Sequence, residues 1–260
     1  MEPLVKRRRW AKIPSESISK VDEDLGMKGI LVAGGHGSRL LPMTNYTHKT
    51  LLPLCGKPII DYALATIRNS GIVDITIIGN RFIDKIREHV GDEVNYVLEE
   101  SPEGVAAALQ LARNGNENSS IMIWFSDNIT NLDLKDEVKN FSKGAVLLTR
   151  EVENPESFGV AVIEKNKIVD VVEKPSNPPS NLAIGGIYIF DETFWERLDN
   201  VQHLPNFSIS DITKQYIAED SAKAISVGRN TWIDCGTPQG LQLAVEMVEK
   251  GFFKTQEGKL

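Results

Sequence analysis

Short apolar runs and amphipathic stretches alternate along the first half of the chain after residue 26. The runs carry the β-branched residues that favour buried strands, and the stretches repeat apolar residues at helical spacing. This pattern predicts strands and helices in alternation, at 29–33, 58–71, 74–78, 82–90, 94–98, 105–113 and 121–125. Alternation at such intervals favours a mostly parallel sheet with helices on both faces.

The pattern of predicted elements changes near residue 135. Strands with short polar connections, which favour partly antiparallel pairing, are predicted at 145–149, 159–163, 168–172 and 184–190. Helices and short strands then follow, at 211–219, 222–227, 232–233 and 237–250. We therefore predict one α/β domain over residues 27–260, with a mostly parallel, Rossmann-like mixed sheet flanked by helices. Its two halves would be 27–134 and 135–260.

Residues 1–26 precede the first strand and show no sustained period. They contain a basic run, KRRR at 6–9, and an acidic run, DED at 22–24. Poor order concentrates at chain termini, so we expect residues 1–26 to form a mobile N-terminal extension.

Composition narrows the class of protein. Of the 260 residues, 41% are hydrophobic and 25% charged, as in ordinary soluble globular proteins. The net charge of −7 disfavours binding to a nucleic acid polymer, and no apolar run is long enough to cross a membrane. Cys55 and Cys235 have neither metal-site nor disulfide-framework spacing, so we expect free thiols in a reducing cytoplasm.

A glycine-rich stretch, GGHGSR at 34–39, follows the first predicted strand directly. Glycines let a loop expose its N–H groups, which can bind a phosphate or a base edge, and Arg39 adds a permanent positive charge. Lys49 and Lys57 follow. The stretch does not match the dinucleotide-binding fingerprint, because the third glycine is missing. It does not match the Walker phosphate-binding loop either, because no Gly-Lys-Ser/Thr follows. A tight turn with surface cations is the alternative interpretation.

Two aspartates follow apolar segments and are candidates for metal binding. Asp127 comes after the strand at 121–125, and Asp234 lies in WIDCGT at 232–237. Ligands bind at the carboxyl ends of strands in open α/β sheets, and two converging carboxylates would hold Mg²⁺. Helix or turn capping is the alternative role for each. A third segment, VEKP at 172–175, would on residue type alone be an exposed surface.

The stretch from Gly34 to Pro58 resembles the signature of the sugar-phosphate nucleotidylyltransferases, G-G-x-G-[ST]-R-L followed by a lysine and L-x-P-x-x-x-K-P. It is most similar to the short form of glucose-1-phosphate thymidylyltransferase. The resemblance implies the nucleotide-diphospho-sugar transferase fold, with nucleotide binding in the first half and sugar-phosphate binding in the second. It implies transfer of a nucleoside monophosphate from dTTP or UTP to a sugar 1-phosphate, with Mg²⁺ and release of pyrophosphate.

The resemblance also implies roles for individual residues. Asp127 of the family's G-D-N, where Ser126 replaces the glycine, and Asp234 of W-x-D-x-G-T would be the metal ligands. The residues implied in catalysis are Arg39, Lys49, Asp127, Lys174 and Asp234. Those implied in nucleotide binding are Ala33, Gly34, Gly35, Gly37, Ser38, Arg39, Glu99 and Gly104. Those implied in sugar-phosphate binding are Phe158, Gly159, Glu173, Lys174, Ile184, Tyr188 and Trp232.

Some positions depart from the family's pattern. Glu99 replaces the glutamine that reads thymine or uracil, and an ionised carboxylate can only accept hydrogen bonds. Ionised Glu99 would suit cytosine or guanine, whereas a protonated Glu99 would still suit dTTP. Polar sugar contacts are replaced by Ala107, Ser157 and Ser208. These changes imply a sugar other than glucose, or a phosphorylated alcohol.

Three interpretations therefore stay open. The first is the dTTP- or UTP-dependent enzyme, and the second is a cytidylyl- or guanylyltransferase for an unusual sugar or alcohol phosphate. The third is a non-catalytic subunit that binds nucleotide-sugars. We place His36 and His48 at the lining of the site, and expect no covalent enzyme intermediate because neither neighbours a nucleophile. The sequence also leaves a homo-oligomer open.

Overall fold

The computed structural model describes residues 25–101, 103–228 and 231–253. The predicted N-terminal extension therefore lies outside the described residues, apart from residues 25 and 26. Within the described part, no helix has the length and apolar character needed to span a membrane.

The first half of the chain alternates strands and helices as its apolar pattern predicts. Its elements are β1 (Lys28–Ala33), β2 (Pro53–Leu54), β3 (Lys57–Pro58), α1 (Ile59–Asn69), β4 (Ile75–Gly79), α2 (Ile83–Val90), β5 (Asn95–Leu98), α3 (Val105–Leu111), β6 (Ile121–Phe125), β7 (Asn128–Thr130) and α4 (Lys135–Asn140). The hairpin of β2 and β3, the short strand β7 and helix α4 were not predicted, because each has too few residues to show a period.

The second half is richer in antiparallel strands. Its elements are β8 (Ala145–Glu151), β9 (Gly159–Glu164), β10 (Lys167–Glu173), β11 (Leu182–Phe190), α5 (Phe194–Val201), α6 (Ile209–Ala218), β12 (Ala222–Ser226), β13 (Trp232–Asp234) and α7 (Pro238–Glu249). The predicted strands and helices are all present, within two residues at most boundaries. Helix α5 was missed.

One central sheet runs through both halves, in the order β10-β9-β11-β6-β1-β4-β5, with β8 paired to β11 and to β12. Strand β1 pairs in parallel with both β4 and β6, and β4 pairs in parallel with β5. Strand β11 is antiparallel to β6 and β8, so it joins the two halves. The predicted mixed α/β sheet in a single domain is confirmed.

Strand β1 is buried on both faces, which explains its unbroken apolar run. Ile30 and Val32 face one core cluster together with helices α3, α5 and α6. Leu31 and Ala33 face a second cluster, which the apolar sides of α1 and α2 cover. A third cluster fills the space between the segment at 40–54, α1 and α7. Among the described residues, helices thus cover both faces of this part of the sheet, and a ligand can approach it at the strand ends.

Four parallel strands end at the same edge of the sheet. Strand β1 ends at Ala33, β4 at Gly79, β5 at Leu98 and β6 at Phe125. The residues that follow these ends therefore share one edge, where α/β sheets bind their ligands. They include the glycine-rich loop, Glu99 and Asp127.

Candidate active site

The glycine-rich loop leaves β1 at this edge and turns sharply at Gly37. Gly37 has φ of 64°, and a Cβ there would come within 2.8 Å of Cγ2 of Thr44. The Thr44 hydroxyl donates a hydrogen bond to the Gly37 carbonyl oxygen at 2.8 Å. A short 3-10 turn, Ser38–Leu40, follows and carries Arg39. Glycine is required at this position because the turn needs both the left-handed conformation and the free space.

A second 3-10 turn, Lys49–Leu51, brings Lys49 to the end of β6. The Thr50 hydroxyl donates to the Ser126 carbonyl oxygen at 3.1 Å, which attaches this turn to β6. The ammonium group of Lys49 donates a short hydrogen bond to Oδ2 of Asp127 and forms an ion pair with it. Both side chains are largely buried. Lys49 is therefore part of the site and not a surface cation.

Asp127 and Asp234 converge at Gly236. A Cβ on Gly236 would lie 2.7 Å from Oδ2 of Asp127, 2.8 Å from Oδ1 of Asp234 and 2.9 Å from Nη2 of Arg39. The two carboxylates are held there because β7 and β13 pair antiparallel and the Gly236 N–H donates to Asp234 at 2.7 Å. The expected meeting of the two aspartates beside the glycine-rich loop is observed.

The two carboxylates differ in their titration. Burial alone would raise the pKa of Asp127, but the Lys49 ammonium group, a backbone hydrogen bond and Arg39 together hold this pKa below its usual range. Burial and the negative charge of Asp127 raise the pKa of Asp234. Arg39 compensates Asp234 only weakly, since its Nη2 lies 3.9 Å from Oδ2 and its side chain is mostly exposed. The pair therefore favours an additional positive charge.

This donor set fits a magnesium ion. Magnesium prefers oxygen ligands and is usually held by one or two carboxylates together with substrate phosphates. The described residues contain no group of three or more His, Cys, Asp or Glu side chains suited to a metal. Asp127 and Asp234 could thus supply two ligands, with substrate oxygens and water completing the shell.

Glu99 lies against the glycine-rich loop at the end of β5. Its side chain is 6% exposed, and a Cβ on Gly34 would lie 1.9 Å from its Oε2. The Glu99 N–H donates to the Gly79 carbonyl oxygen at 2.8 Å, which continues the β4–β5 ladder. Burial raises the pKa of the Glu99 carboxyl group. The position predicted to read the base thus carries an acid that is easier to protonate than usual.

The predicted sugar-phosphate residues gather around the ends of β9 and β10. The Ser210 hydroxyl donates to Oε2 of Glu173 at 3.0 Å. A Cβ on Gly159 would lie 3.1 Å from the same oxygen and 3.7 Å from Cδ1 of Ile184. Lys174 has φ of 39°, and its exposed ammonium group lies 3.7 Å from Glu173. Glu173, Gly159 and Ile184 are therefore neighbours, and the Lys174 ammonium group lies exposed beside Glu173.

Trp232 connects the sugar-phosphate side to the carboxylates. Its ring meets that of Phe158 edge to face at 5.7 Å, and a Cβ on Gly185 would come within 3.1 Å of it. Its Nε1–H donates to Oδ1 of Asn128 at 3.0 Å, and the Asn128 amide donates to Oδ1 of Asp127 at 2.9 Å. A chain of hydrogen bonds thus runs from Trp232 through Asn128 to the carboxylate of Asp127.

The remaining predicted residues have simpler surroundings. Tyr188 is buried, stacks on Phe190 at 5.8 Å and has its pKa raised by burial and by Glu173. Gly104 has φ of 100° and precedes α3. Ser208 is the N-cap of α6 in a capping box with Asp211, so the serine in place of the family's acidic residue serves the helix.

Several residues that shape the site were missed by the sequence analysis. They are Thr50, Asn80, Asn128, Ser210 and Gly236. Asn128 and Gly236 lie inside the motifs that contain the two aspartates, so the motifs could have indicated them. Nothing local marks the others, because their partners are distant in the chain. His48 was placed at the lining of the site but is buried, with 1% exposure.

Removing the Lys49 charge tests the buried ion pair. We expect Lys49→Met to lower the free energy of unfolding by about 3 kcal/mol at pH 7, because Asp127 keeps a buried, uncompensated charge. The pKa of Asp127 in the folded wild type is lowered. Its carboxylate therefore stabilises the fold at pH values above the pKa that it has in the unfolded chain, and this contribution is lost as the pH falls through the folded pKa. The difference between variant and wild type should therefore shrink at acidic pH in urea titrations.

The exposed pair of Lys167 and Asp220 provides the control for this ion pair. Lys167→Met should change the unfolding free energy by less than about 1 kcal/mol. Equal losses in the two variants would contradict the buried character of the first pair.

Ser126 provides a second stability test. Among the described residues, Oγ of Ser126 is the one buried side-chain polar atom that has no hydrogen-bond partner. Ser126→Ala should leave stability unchanged or raise it by about 1 kcal/mol, because a buried unsatisfied group is removed. Thr50→Val removes the hydroxyl that donates to the Ser126 carbonyl oxygen, and it should lower stability by about 1 kcal/mol. A similar loss in both variants, measured by urea unfolding, would show that the Ser126 hydroxyl has a partner.

Comparison with known proteins agrees with this geometry. A family model described as nucleotidyl transferase matches residues 28–251. The low-salt glycan biosynthesis nucleotidyltransferase Agl11 of Haloferax volcanii is 31% identical over 237 residues, which are 85% of this chain and 66% of that protein. A glucose-1-phosphate thymidylyltransferase of Neisseria meningitidis is 31% identical over 239 residues, which are 86% of this chain and 83% of that protein.

A solved structure shows the same fold. It is a Bacillus anthracis protein in complex with sucrose, assigned provisionally as a glucose-1-phosphate thymidylyltransferase. Its TM-score is 0.81 at 31% identity, over 88% of this chain and 98% of that chain. The resemblance found in the sequence is confirmed. The chain belongs to the nucleotidyl transferase family, as an enzyme similar to the glucose-1-phosphate thymidylyltransferases.

Proposed function

We propose that this enzyme transfers a nucleoside monophosphate from dTTP or UTP to a sugar 1-phosphate and releases pyrophosphate. The observation that carries this proposal is the convergence of Asp127, Asp234, Lys49 and Arg39 beside the glycine-rich loop. Two carboxylates and two cations at one strand edge suit a metal-bound triphosphate. The relatives named as glucose-1-phosphate thymidylyltransferases support the same substrate class.

In this proposal, an oxygen of the sugar phosphate attacks the α-phosphorus of the triphosphate. The bond to the departing pyrophosphate breaks as the new phosphorus–oxygen bond forms. The nucleophile is already ionised at neutral pH, so no general base is needed. The protein contributes positioning and neutralisation of charge. Arg39 would neutralise the triphosphate, and Lys49 would lie near the α-phosphate while it fixes Asp127.

Asp127 and Asp234 would hold Mg²⁺. When bound, the ion would neutralise phosphate charge and orient the phosphate oxygens. The raised pKa of Asp234 supports this role, because burial beside Asp127 disfavours a second negative charge unless a cation compensates it.

The second half of the domain, residues 135–260, would bind the acceptor, and residues 27–134 the nucleotide. Glu173, fixed by Ser210, would accept hydrogen bonds from acceptor hydroxyls, and Lys174 would hold the phosphate. Ala107, Ser157 and Ser208 provide fewer polar contacts than the family's pattern. They support an acceptor other than glucose 1-phosphate, either another sugar phosphate or a phosphorylated alcohol. Free thiols at Cys55 and Cys235 are consistent with a cytoplasmic enzyme.

The protonation state of the buried Glu99 would favour one of two kinds of base. Burial favours its protonated form, which has one O–H donor and one carbonyl acceptor, as glutamine's amide does. This pattern matches the carbonyl and N–H of thymine or uracil. An ionised Glu99 would instead accept from the two adjacent donors of guanine, which makes a guanylyltransferase the second candidate.

A pyrophosphate-release screen tests the proposal directly. Each of dTTP, UTP, GTP and CTP is combined with Mg²⁺ and a panel of sugar 1-phosphates and phosphorylated alcohols. We expect release that requires both a triphosphate and an acceptor. Binding of nucleotide-sugars without turnover across the panel would favour the non-catalytic alternative.

Replacing either aspartate should abolish turnover without unfolding the protein. We expect Asp127→Asn and Asp234→Asn to reduce kcat/KM by about a hundredfold or more. Each variant loses a carboxylate that would hold Mg²⁺, so the ion would no longer neutralise the phosphate charge. Asp220→Asn, in an exposed ion pair with Lys167, is the matched control and should retain activity. Full pyrophosphate release by folded Asp127→Asn protein would overturn the assignment of the metal site.

Glu99→Gln separates the two bases. With dTTP or UTP, activity of the wild type should fall as the pH rises through the raised pKa of Glu99, because the protonated form reads the base. The glutamine variant should keep its activity and lose this pH limb. With GTP as the substrate, activity should instead rise with pH, and Glu99→Gln should lower it by about a hundredfold. Steady-state rates from pH 5 to 9 distinguish these outcomes.

A further inference from the structure

His48 lies buried between the two loops that would surround a triphosphate. Its Nε2 lies 3.1 Å from the carbonyl oxygen of Gly35, in the glycine-rich loop. Its Nδ1 lies 3.2 Å from the backbone nitrogen of Thr50, in the turn that carries Lys49. The imidazole ring therefore bridges the loop after β1 and the turn attached to β6.

The partners of the ring fix its tautomer. A backbone N–H can only donate, so Nδ1 of His48 accepts from Thr50 and carries no proton. Nε2 then carries the proton and donates to the Gly35 carbonyl oxygen. Burial and the adjacent Lys49 cation lower the pKa of His48 to about 4, so the ring stays neutral in this arrangement.

The carbonyl groups of the loop are held on one side. His48 holds the Gly35 carbonyl oxygen, and the Asn80 amide donates to the Gly34 carbonyl oxygen at 3.0 Å. In a trans peptide the N–H points opposite to the C=O. The N–H groups of Gly35 and His36 are thus directed away from these two side chains.

We propose that His48 is a positioning residue for the triphosphate. Its neutral imidazole holds the Gly35 peptide so that the amide N–H groups of the glycine-rich loop face the phosphates. The other ring nitrogen of His48 accepts from the Thr50 N–H, and this bond, with that of the Thr50 hydroxyl to the Ser126 carbonyl oxygen, holds the turn that carries Lys49. The inference rests on the proposed nucleotidyl transfer and adds a residue to it.

Two amide variants separate the two hydrogen bonds of His48. The oxygen of His48→Asn can replace Nδ1 and accept from Thr50, but its side chain does not reach Gly35. The longer amide of His48→Gln can place an N–H where Nε2 lies. We expect His48→Asn to raise KM for the triphosphate about tenfold with kcat changed less than threefold, and His48→Gln to restore KM to within about threefold of wild type.

Two further variants complete the experiment. Asn80→Asp keeps the oxygen that accepts from the Phe82 N–H but loses the donor to Gly34, and it should also raise KM with little change in kcat. His89→Gln is the matched control, because His89 bonds to Asp61 at 2.7 Å between α1 and α2, and its KM should stay at the wild-type value. The triphosphate is whichever of dTTP, UTP, GTP and CTP the wild type uses fastest.

The outcomes are distinguishable. The inference would be overturned, and the proposed function would stand, if His48→Asn and Asn80→Asp both kept the wild-type KM. The same would follow if His48→Asn and His48→Gln showed equal increases in KM and equal losses of melting temperature. A wild-type protein that releases no pyrophosphate with any triphosphate and acceptor would contradict both.

Discussion

Parallel pairing of β1 with both β4 and β6 is the constraint on which the site depends. Three strands that are distant in the chain, ending at Ala33, Gly79 and Phe125, therefore end at the same edge of the sheet. The glycine-rich loop, Asn80 and Asp127 therefore follow strand ends at one edge. Helices pack on both faces of these strands, so the edge is the part of this sheet region that remains open to a substrate.

Charge balance then determines which residues the site can contain. Asp127 is buried and its pKa is lowered with Lys49 against it, whereas burial and the negative charge of Asp127 raise the pKa of Asp234 despite the Gly236 N–H and the more distant Arg39 and Lys49. The same arrangement therefore stabilises one carboxylate and leaves the other in need of a cation. A metal-bound triphosphate would satisfy that need, which connects the stability of this edge to its proposed chemistry.

Hydrogen bonds from neutral side chains give the site its shape. His48 and Asn80 hold the carbonyl groups of the glycine-rich loop, and Asn128 links Trp232 to Asp127. The proposed nucleotide and acceptor regions are thus connected by hydrogen bonds as well as by a shared sheet. Glu99 is the exception, since it lies against the loop with an ionisable group whose pKa is raised by burial.

The sequence by itself determined the order of strands and helices, the single mixed α/β domain and the family, because apolar periodicity and the motifs at 34–58, 126–128 and 232–237 are local properties of the chain. It also marked Asp127 and Asp234 as candidates by their place after apolar segments, with capping as the alternative, and the resemblance favoured metal binding. The tertiary structure decided that Lys49 neutralises Asp127, that Gly236 leaves room for both carboxylates, and that His48 is buried and bonded. These facts depend on contacts between residues far apart in the chain, and no local pattern records such contacts.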